Sequence, residues 1–378
     1  MTEKKYRAHL IGEPTDIITG TDREHRYFAW PSIAAAKDGS IVVGASGFRK
    51  RHIDPYGKAV IAVSRDGGQT YSAPRTVIDT CLDDRDVGLT AFGENGLIVT
   101  TFNNSVAFQR KEAINLSDEA ERAATLSHLD GISEADEAHD LGSLFRISRD
   151  NGRTFGRIYK SPITSPHGPR ELHDGRIIWC GSPFYANQDH DFSRGVECYE
   201  LDPDNGNMTL LGKISAVTDR DGDALLSCEP DVIGLPDGTL VCHIRVQGMK
   251  ADFSQFTLYQ SVSRDGGHTW SEPRQILPDM GGAPAHLMLH SSGLLISVYG
   301  YRREPFEIRA IFSSDRGVSW SEPVTLSSGN IYPDMGYPMS AEVRDGVILT
   351  VYYCHPAPGE PAIIRQVRWL PEIIRKFN

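Results

Sequence analysis

Six short runs of apolar residues, each introduced by a polar turn, set the rhythm of this chain: Ser40–Ser46 (SIVVGAS), Leu97–Asn103 (LIVTTFN), Arg176–Ser182 (RIIWCGS), Thr239–Arg245 (TLVCHIR), Leu294–Gly300 (LLISVYG) and Val347–Tyr353 (VILTVYY). Each is alternating or fully apolar, bounded by turn residues and rich in β-branched and aromatic side chains, which predicts strands. The turns KDGS, GENG, HDGR, PDGT, HSSG and RDGV carry Gly39, Gly96, Gly175, Gly238, Gly293 and Gly346, in the place where a hairpin demands backbone angles other residues avoid. These glycines recur every 53–63 residues, with one longer interval of 79. A hairpin-based unit of that length repeated six times predicts an all-β chain, a six-bladed β-propeller of four-stranded antiparallel blades, rather than a solenoid.

A second repeat lies between those units. An eight-residue phrase occurs four times, as Ser64–Tyr71 (SRDGGQTY), Ser148–Phe155 (SRDNGRTF), Ser263–Trp270 (SRDGGHTW) and Ser313–Trp320 (SSDRGVSW). Asp66, Asp150, Asp265 and Asp315 stand where a short carboxylate accepts N–H groups of its own turn, and the closing aromatic pins the turn onto its neighbour. Leu201–Met208 (LDPDNGNM) reads as a degenerate turn in place of the box in the third blade. The phrase is scaffold, on the outer rim of a blade, and says little about chemistry.

The long interval holds Arg110–Gly142, which is acidic, Ala-rich and poor in β-formers. It predicts a mostly helical insertion in the second blade, at about 110–142, acting as a solvated flap, a lid over the site or a dimer contact. Elsewhere the turns span most of the 378 residues, so one domain over 1–378 is expected. The net charge of −11, with no basic stripe, argues against nucleic acid or an anionic membrane surface as partner. The charged start MTEKKYRAHL lacks an apolar segment behind it, and six dispersed cysteines show no metal-ligand or disulfide spacing, so a reduced, cytoplasmic protein without metal or cofactor is expected.

Alignment of the blades on the hairpin glycine brings the starts of the innermost strands to one face. Before the six glycines come Ala29-Trp30-Pro31, Arg85-Asp86, Pro166-His167, Cys228-Glu229, Pro284-Ala285-His286 and Gly336-Tyr337; after them come Ser46, Asn103, Ser182, Arg245, Tyr301-Arg302 and Tyr353. One funnel mouth thus collects arginines, carboxylates, tyrosines and two histidines, where interior strand starts without a ligand would be apolar. His167 and His286 are candidates for acid/base work or, with Asp86, for metal ligands, although three different blades supply them.

The boxes resemble the Asp-box of sialidases and related β-propellers, and the resemblance extends to single residues over essentially the whole chain. In that family a glutamate precedes a D-G hairpin and then an arginine, as Glu229 and Arg245 do here, and a nucleophilic tyrosine precedes a D-G strand, as Tyr337 precedes Asp345-Gly346. The resemblance implies that Asp54, on a loop after the first hairpin, is the acid/base, and that Arg302 or Arg303 is a further ligand arginine. The family's first-blade F/Y-R-I-P phrase is Phe28-Ala29-Trp30-Pro31 here. An arginine of the carboxylate clamp is therefore replaced by Ala29, with Arg85 as a possible substitute. The combination of DDRD, SPHGP, GYRR and DMGYP looks like a divergent bacterial sialidase-like subgroup.

What this implies is a retaining exo-glycoside hydrolase for a terminal acidic or unusual sugar. Tyr337 would attack, Glu229 would take its proton, Asp54 would protonate the leaving oxygen, and Arg245 and Arg302 would hold the sugar, with Trp30, Arg85, Asp86, His167, His286 and Arg303 as further binding candidates. Two other readings stay open: a histidine-driven glycosidase or lyase, and a carbohydrate-binding propeller without catalysis. The partner in each case is a glycan; the oligomeric state is not legible.

Overall fold

A computed structural model describes residues 5–248, 256–279, 281 and 284–374. Its strands form six antiparallel sheets arranged as the blades of a ring, in the order the turn glycines predict. The first blade comprises Tyr27–Ala35, Ile41–Arg49, Lys58–Ser64 and Arg75–Ile78; the fourth comprises Leu226–Gly234, Leu240–Gln247, Phe256–Ser263 and Arg274–Leu277. The sixth is shared between the chain ends. Gly336–Glu342, Ile348–Cys354 and Ile363–Ile374 are completed by the N-terminal strand Lys5–Leu10, which pairs antiparallel with Ile363–Ile374, while Thr15–Ile18 also pairs with that long strand.

The apolar residues pack between blades. Separate clusters fill the contacts of the sixth blade with the first, the first with the second, the second with the third, the third with the fourth, the fourth with the fifth and the fifth with the sixth. A strand in the middle of a blade therefore has a neighbouring blade on each face, which is why Ile177–Pro183 and Ile348–Cys354 are buried at every position and read as continuous rather than alternating apolar runs.

All four boxes join the third and fourth strands of their blades. In the last of them Ser313 Oγ accepts from Gly317 N at 2.8 Å and donates to Asp315 Oδ1 at 2.7 Å, while Asp315 Oδ1 accepts from Ser319 N at 2.9 Å. The glycines Gly68, Gly152, Gly267 and Gly317 all have positive φ, and the aromatics reach the preceding blade, as Tyr71 does to Gln366 at 2.8 Å and Trp320 to Gln260 at 2.9 Å. Leu201–Met208 makes its own turn around Asp202, which accepts from Asp204 N at 2.9 Å.

The insertion is helical and begins slightly earlier than its composition suggests. Helices α1 (Val106–Ala113), α2 (Glu119–Asp130) and α3 (Glu134–Asp140) leave the second blade between its second and third strands. Ser105, Asp118 and Ser133 cap their N-termini through side-chain acceptors, and Ser105 is the signal that moves the boundary forward. Among the described residues no helix is long and apolar enough to cross a membrane.

Candidate active site

The same irregularity recurs at the start of four innermost strands. Opposite single residues of the second strand stand the pairs Trp30-Pro31, Asp86-Val87, Glu229-Pro230 and Tyr337-Pro338, each a bulge in the register. The first residue of each pair has left-handed backbone angles: φ is 50° at Trp30, 45° at Asp86, 48° at Glu229 and 48° at Tyr337. A bulky residue in this region costs on the order of 1–3 kcal/mol. The bulge aims the side chain toward the ring axis, and in three cases the following proline has no N–H to leave unpaired.

Three of these four side chains line one cavity of about 420 Å³: Asp86, Glu229 and Tyr337. Arg245, in the second strand of the fourth blade, and Arg302, after the second strand of the fifth, line it as well. Tyr337 donates its phenolic proton to Glu229 Oε1, and Glu229 Oε2 is ion-paired with Arg245 Nη1. Arg245 Nη2 donates to Gln247 Oε1 at 2.8 Å. Arg302 lies over the Tyr337 ring with its guanidinium carbon 5.3 Å from the centroid, and donates to Met335 O at 2.7 Å and to Tyr353 Oη at 2.8 Å. Burial, then the charges of Glu229 and Asp86, hold the Tyr337 phenol well above its usual pKa, against the pull of Arg245 and Arg302. Burial also pushes the Asp86 carboxyl up to about 7, with Glu229 and Asp83 adding to it and Arg85 and Arg49 opposing.

Asp54 is not in this cavity. Its fully buried carboxylate accepts from Lys50 N at 2.6 Å and Tyr56 N at 2.9 Å, and so ties its own loop together. The acid/base expected from the resemblance therefore does not line the cavity: a short side chain before Pro55 is turned inward by the N–H groups of a tight turn. Trp30 shares the bulge but not the exposure. Arg85 stacks on its ring at 4.3 Å and Arg49 at 4.9 Å, and Arg49 forms a buried ion pair with Asp83. Arg85, expected to replace the arginine missing at Ala29, donates to His52 O at 2.7 Å and Asp83 Oδ2 at 3.3 Å, and does not line the cavity. Among the described residues the cavity is therefore lined by two arginines. Arg303 points away, paired with Asp279 at 2.5 Å.

His167 and His286 lie off the cavity as well. Both are buried, their rings meeting edge to face at 5.2 Å. Burial, with Arg170 beside it, depresses His167 to about 3, and the same causes depress His286. Neutral imidazoles sealed from the cavity do not suit the histidine-driven reading. No group of three or more possible metal ligands occurs among the described residues. The bulge explains the misplacement: Gly168 (φ 75°), not His167, takes the left-handed position in the third blade. Asn103 likewise yields its place to Phe102, which pairs with Arg85 and lines the cavity.

Several lining residues carry no sequence signal. Tyr185, Gln188 and His190 come from the loop after Ile177–Pro183, and His52 from the loop after Ile41–Arg49. Loop residues have no period to align, so only the fold brings them in. Ser105 N donates to Ala186 O at 3.0 Å and Gln188 Nε2 to Asn104 Oδ1 at 2.8 Å, so the root of the helical insertion holds the first of these loops. Among the described residues lining the cavity none comes from the insertion itself, which buttresses the wall.

Residues 131–351 match the sequence profile of the BNR repeat-like domain, more than half of the chain. The protein belongs to the BNR repeat-like family. This BNR repeat-like protein has no sequence match among curated proteins. In fold it is similar to a protein of unknown function from Dyadobacter fermentans, with TM-score 0.73 and 19% identity over 97% of this chain and 99% of that one. It is also similar to the intramolecular trans-sialidase from Ruminococcus gnavus, crystallised with oseltamivir carboxylate (TM-score 0.63, 15% identity, 94% and 97% covered), and to the NanB sialidase from Streptococcus pneumoniae (TM-score 0.66, 12% identity, 95% and 70% covered). The BNR repeat-like protein thus has the sialidase-like six-bladed propeller.

Proposed function

We propose that this protein is an exo-acting, retaining glycoside hydrolase that removes a terminal acidic sugar, with Tyr337 as nucleophile. The observation that carries the reading is the chain Tyr337–Glu229–Arg245 at the floor of the cavity, with Arg302 over the tyrosine ring. A phenol is a poor nucleophile until its proton leaves. Here the proton already points at Glu229, so Tyr337 Oη can attack the anomeric carbon while the proton passes to the carboxylate. The phenol stays neutral at rest, because burial and two nearby carboxylates disfavour its anion. An attacking group that is neutral at rest suits an anomeric centre bearing a carboxylate, which would repel a carboxylate nucleophile, and sialidases are the known case of a tyrosine in this role.

Arg245 and Arg302 supply the positive charge for an anionic sugar. Two arginines without a third at Ala29 widen the choice from a sialic acid to a uronic acid. Asp86, whose carboxyl burial pushes up to about 7, can hold a proton to donate in a hydrogen bond within the cavity. The structural neighbours named as sialidase and trans-sialidase bring the same class of substrate to mind for this chain, in hydrolysis or in intramolecular transfer.

The test is hydrolysis of an aryl-glycoside panel of an α-sialoside, uronides and neutral sugars by the wild type and by Tyr337→Phe. Turnover of an acidic member is expected, with a loss of ~10³-fold or more in kcat for the variant and little change in KM, because phenylalanine keeps the ring under Arg302. No turnover of any member, or equal turnover by the variant, overturns the reading.

A further inference from the structure

With Asp54 turned away, a proton donor for the departing oxygen has to come from another lining residue, and besides Asp86 on its bulge the imidazole candidates from loops are His52 and His190. His52, two residues before Asp54 on the same loop, lines the central cavity. It also lines two further clefts: one of about 230 Å³ against helices α1 and α2, and one of about 450 Å³ toward Tyr332 and His355. An exo-acting enzyme holds the terminal sugar on the floor and lets the rest of the glycan leave through the mouth. A residue at the junction of the floor cavity and the outer clefts stands where the scissile oxygen must lie.

The ring is positioned for that task. Its Nδ1 faces Asp334 Oδ1 at 3.0 Å, its edge packs on Trp30 at 4.8 Å between centroids, and its backbone carbonyl is gripped by Arg49 Nη2 and Arg85 Nη1, both at 2.7 Å. Asp334 is itself fixed by Tyr27 and Tyr353, each at 2.8 Å, and by His355 at 3.2 Å. A carboxylate on Nδ1 sets the imidazole's orientation and stabilises the imidazolium, leaving Nε2 as the exchanging atom.

We propose that His52, oriented by Asp334, is the proton donor and later the base of this active site. The assignment rests on the glycosidase reading above. In the first step Tyr337 Oη bonds to the anomeric carbon and gives its proton to Glu229. The glycosidic C–O bond breaks with its electron pair on oxygen, which takes the Nε2 proton of the His52 imidazolium. In the second step neutral His52 takes a proton from water, the resulting hydroxyl attacks the anomeric carbon, and the Tyr337 C–O bond breaks as Glu229 returns the proton. The charged and titratable groups facing His52 are Asp334 and Tyr27, with Arg49 and Arg85 on its carbonyl and Arg302 further away. The ring keeps about half of its surface exposed, so the lowering of its pKa by the packed surroundings and the arginines is tempered by solvent while Asp334 raises it, and activity falls as pH rises through the value the ring holds in the complex.

The experiment compares kcat/KM of wild type, His52→Asn and Asp334→Asn on two glycosides of one accepted sugar, with a nitrated phenol and with an unactivated sugar as leaving group. Asparagine in place of His52 retains a donor toward Asp334 but cannot deliver the Nε2 proton. His52→Asn is expected to lose ~10²–10⁴-fold on the poor leaving group and under ~10-fold on the good one, the scale of general acid catalysis. Its kcat on the activated substrate should recover with added azide, which needs no base. Asp334→Asn should show the same selectivity and a pH profile displaced toward acid. An equal loss on both substrates, or no loss, overturns the assignment of His52 and leaves the glycosidase reading standing. Absence of wild-type turnover on every glycoside overturns both.

Discussion

Asp86 shows how one backbone bulge converts a residue into a chemical instrument. Its left-handed backbone angles aim the carboxyl at the cavity, and burial raises its pKa to about 7. In the unfolded chain an aspartate titrates near 4, so between about pH 4 and pH 7 the folded state binds the extra proton. The stability this contributes is present in full below the unfolded value and is lost as pH rises through about 7. Asp86→Asn cannot ionise. It should therefore match the wild type at pH 4 and exceed it at pH 8, by at most about 4 kcal/mol, read from urea unfolding at the two pH values. The neighbouring Asp84, also raised to about 7 by burial against hydrogen bonds from Thr80 and Asn103, adds a parallel slope that this variant retains. A wild type no less stable at pH 8 than the variant would show that the Asp86 carboxyl is not raised.

Among the elements, the boxes and the bulges divide the work. The boxes hold strand ends to the preceding blade, far from the cavity, whereas the bulges carry the chemistry. Ser313 is buried and its Oγ satisfies the Gly317 N–H while donating to Asp315. Ser313→Ala leaves that N–H without its acceptor, which should cost ~1–2 kcal/mol in urea unfolding and leave kcat and KM unchanged. A change in KM would mean that the rim communicates with the cavity. The boxes were legible in the sequence because one eight-residue phrase recurs with the same internal spacing, and the strand starts Trp30, Asp86, Glu229 and Tyr337 because each stands nine or ten residues before its hairpin glycine. Their phase was less so: alignment on the hairpin glycine placed Glu229 and Tyr337 on the cavity but set His167 and Asn103 one residue off the positions taken by Gly168 and Phe102, since a bulge inserts a residue without marking the sequence.

For the whole molecule, the ring closes through the pairing of Lys5–Leu10 with Ile363–Ile374. Removal of the N-terminal strand would bare the edge of Trp369–Ile374, so a chain starting at Gly12 should unfold at lower temperature and aggregate on heating. An unchanged melting curve would show that Thr15–Ile18 alone closes the ring. The six-bladed architecture and the helical insertion were determined by the sequence itself, whereas Glu229, Arg245 and Tyr337 were named there only through a resemblance, and the contact of Glu229 with Tyr337, 108 positions away, belongs to the fold. Hydrophobic period, turn glycines and repeat spacing are local properties that a chain displays before it folds. The inward turn of Asp54, the occupation of Trp30 by two stacked arginines, the sealing of His167 against His286 and the arrival of His52 at the mouth were decided only by tertiary structure. Those outcomes depend on which loops and blades meet around the axis. Contacts between residues up to hundreds of positions apart, such as His52 with Asp334, leave no periodic trace in the chain.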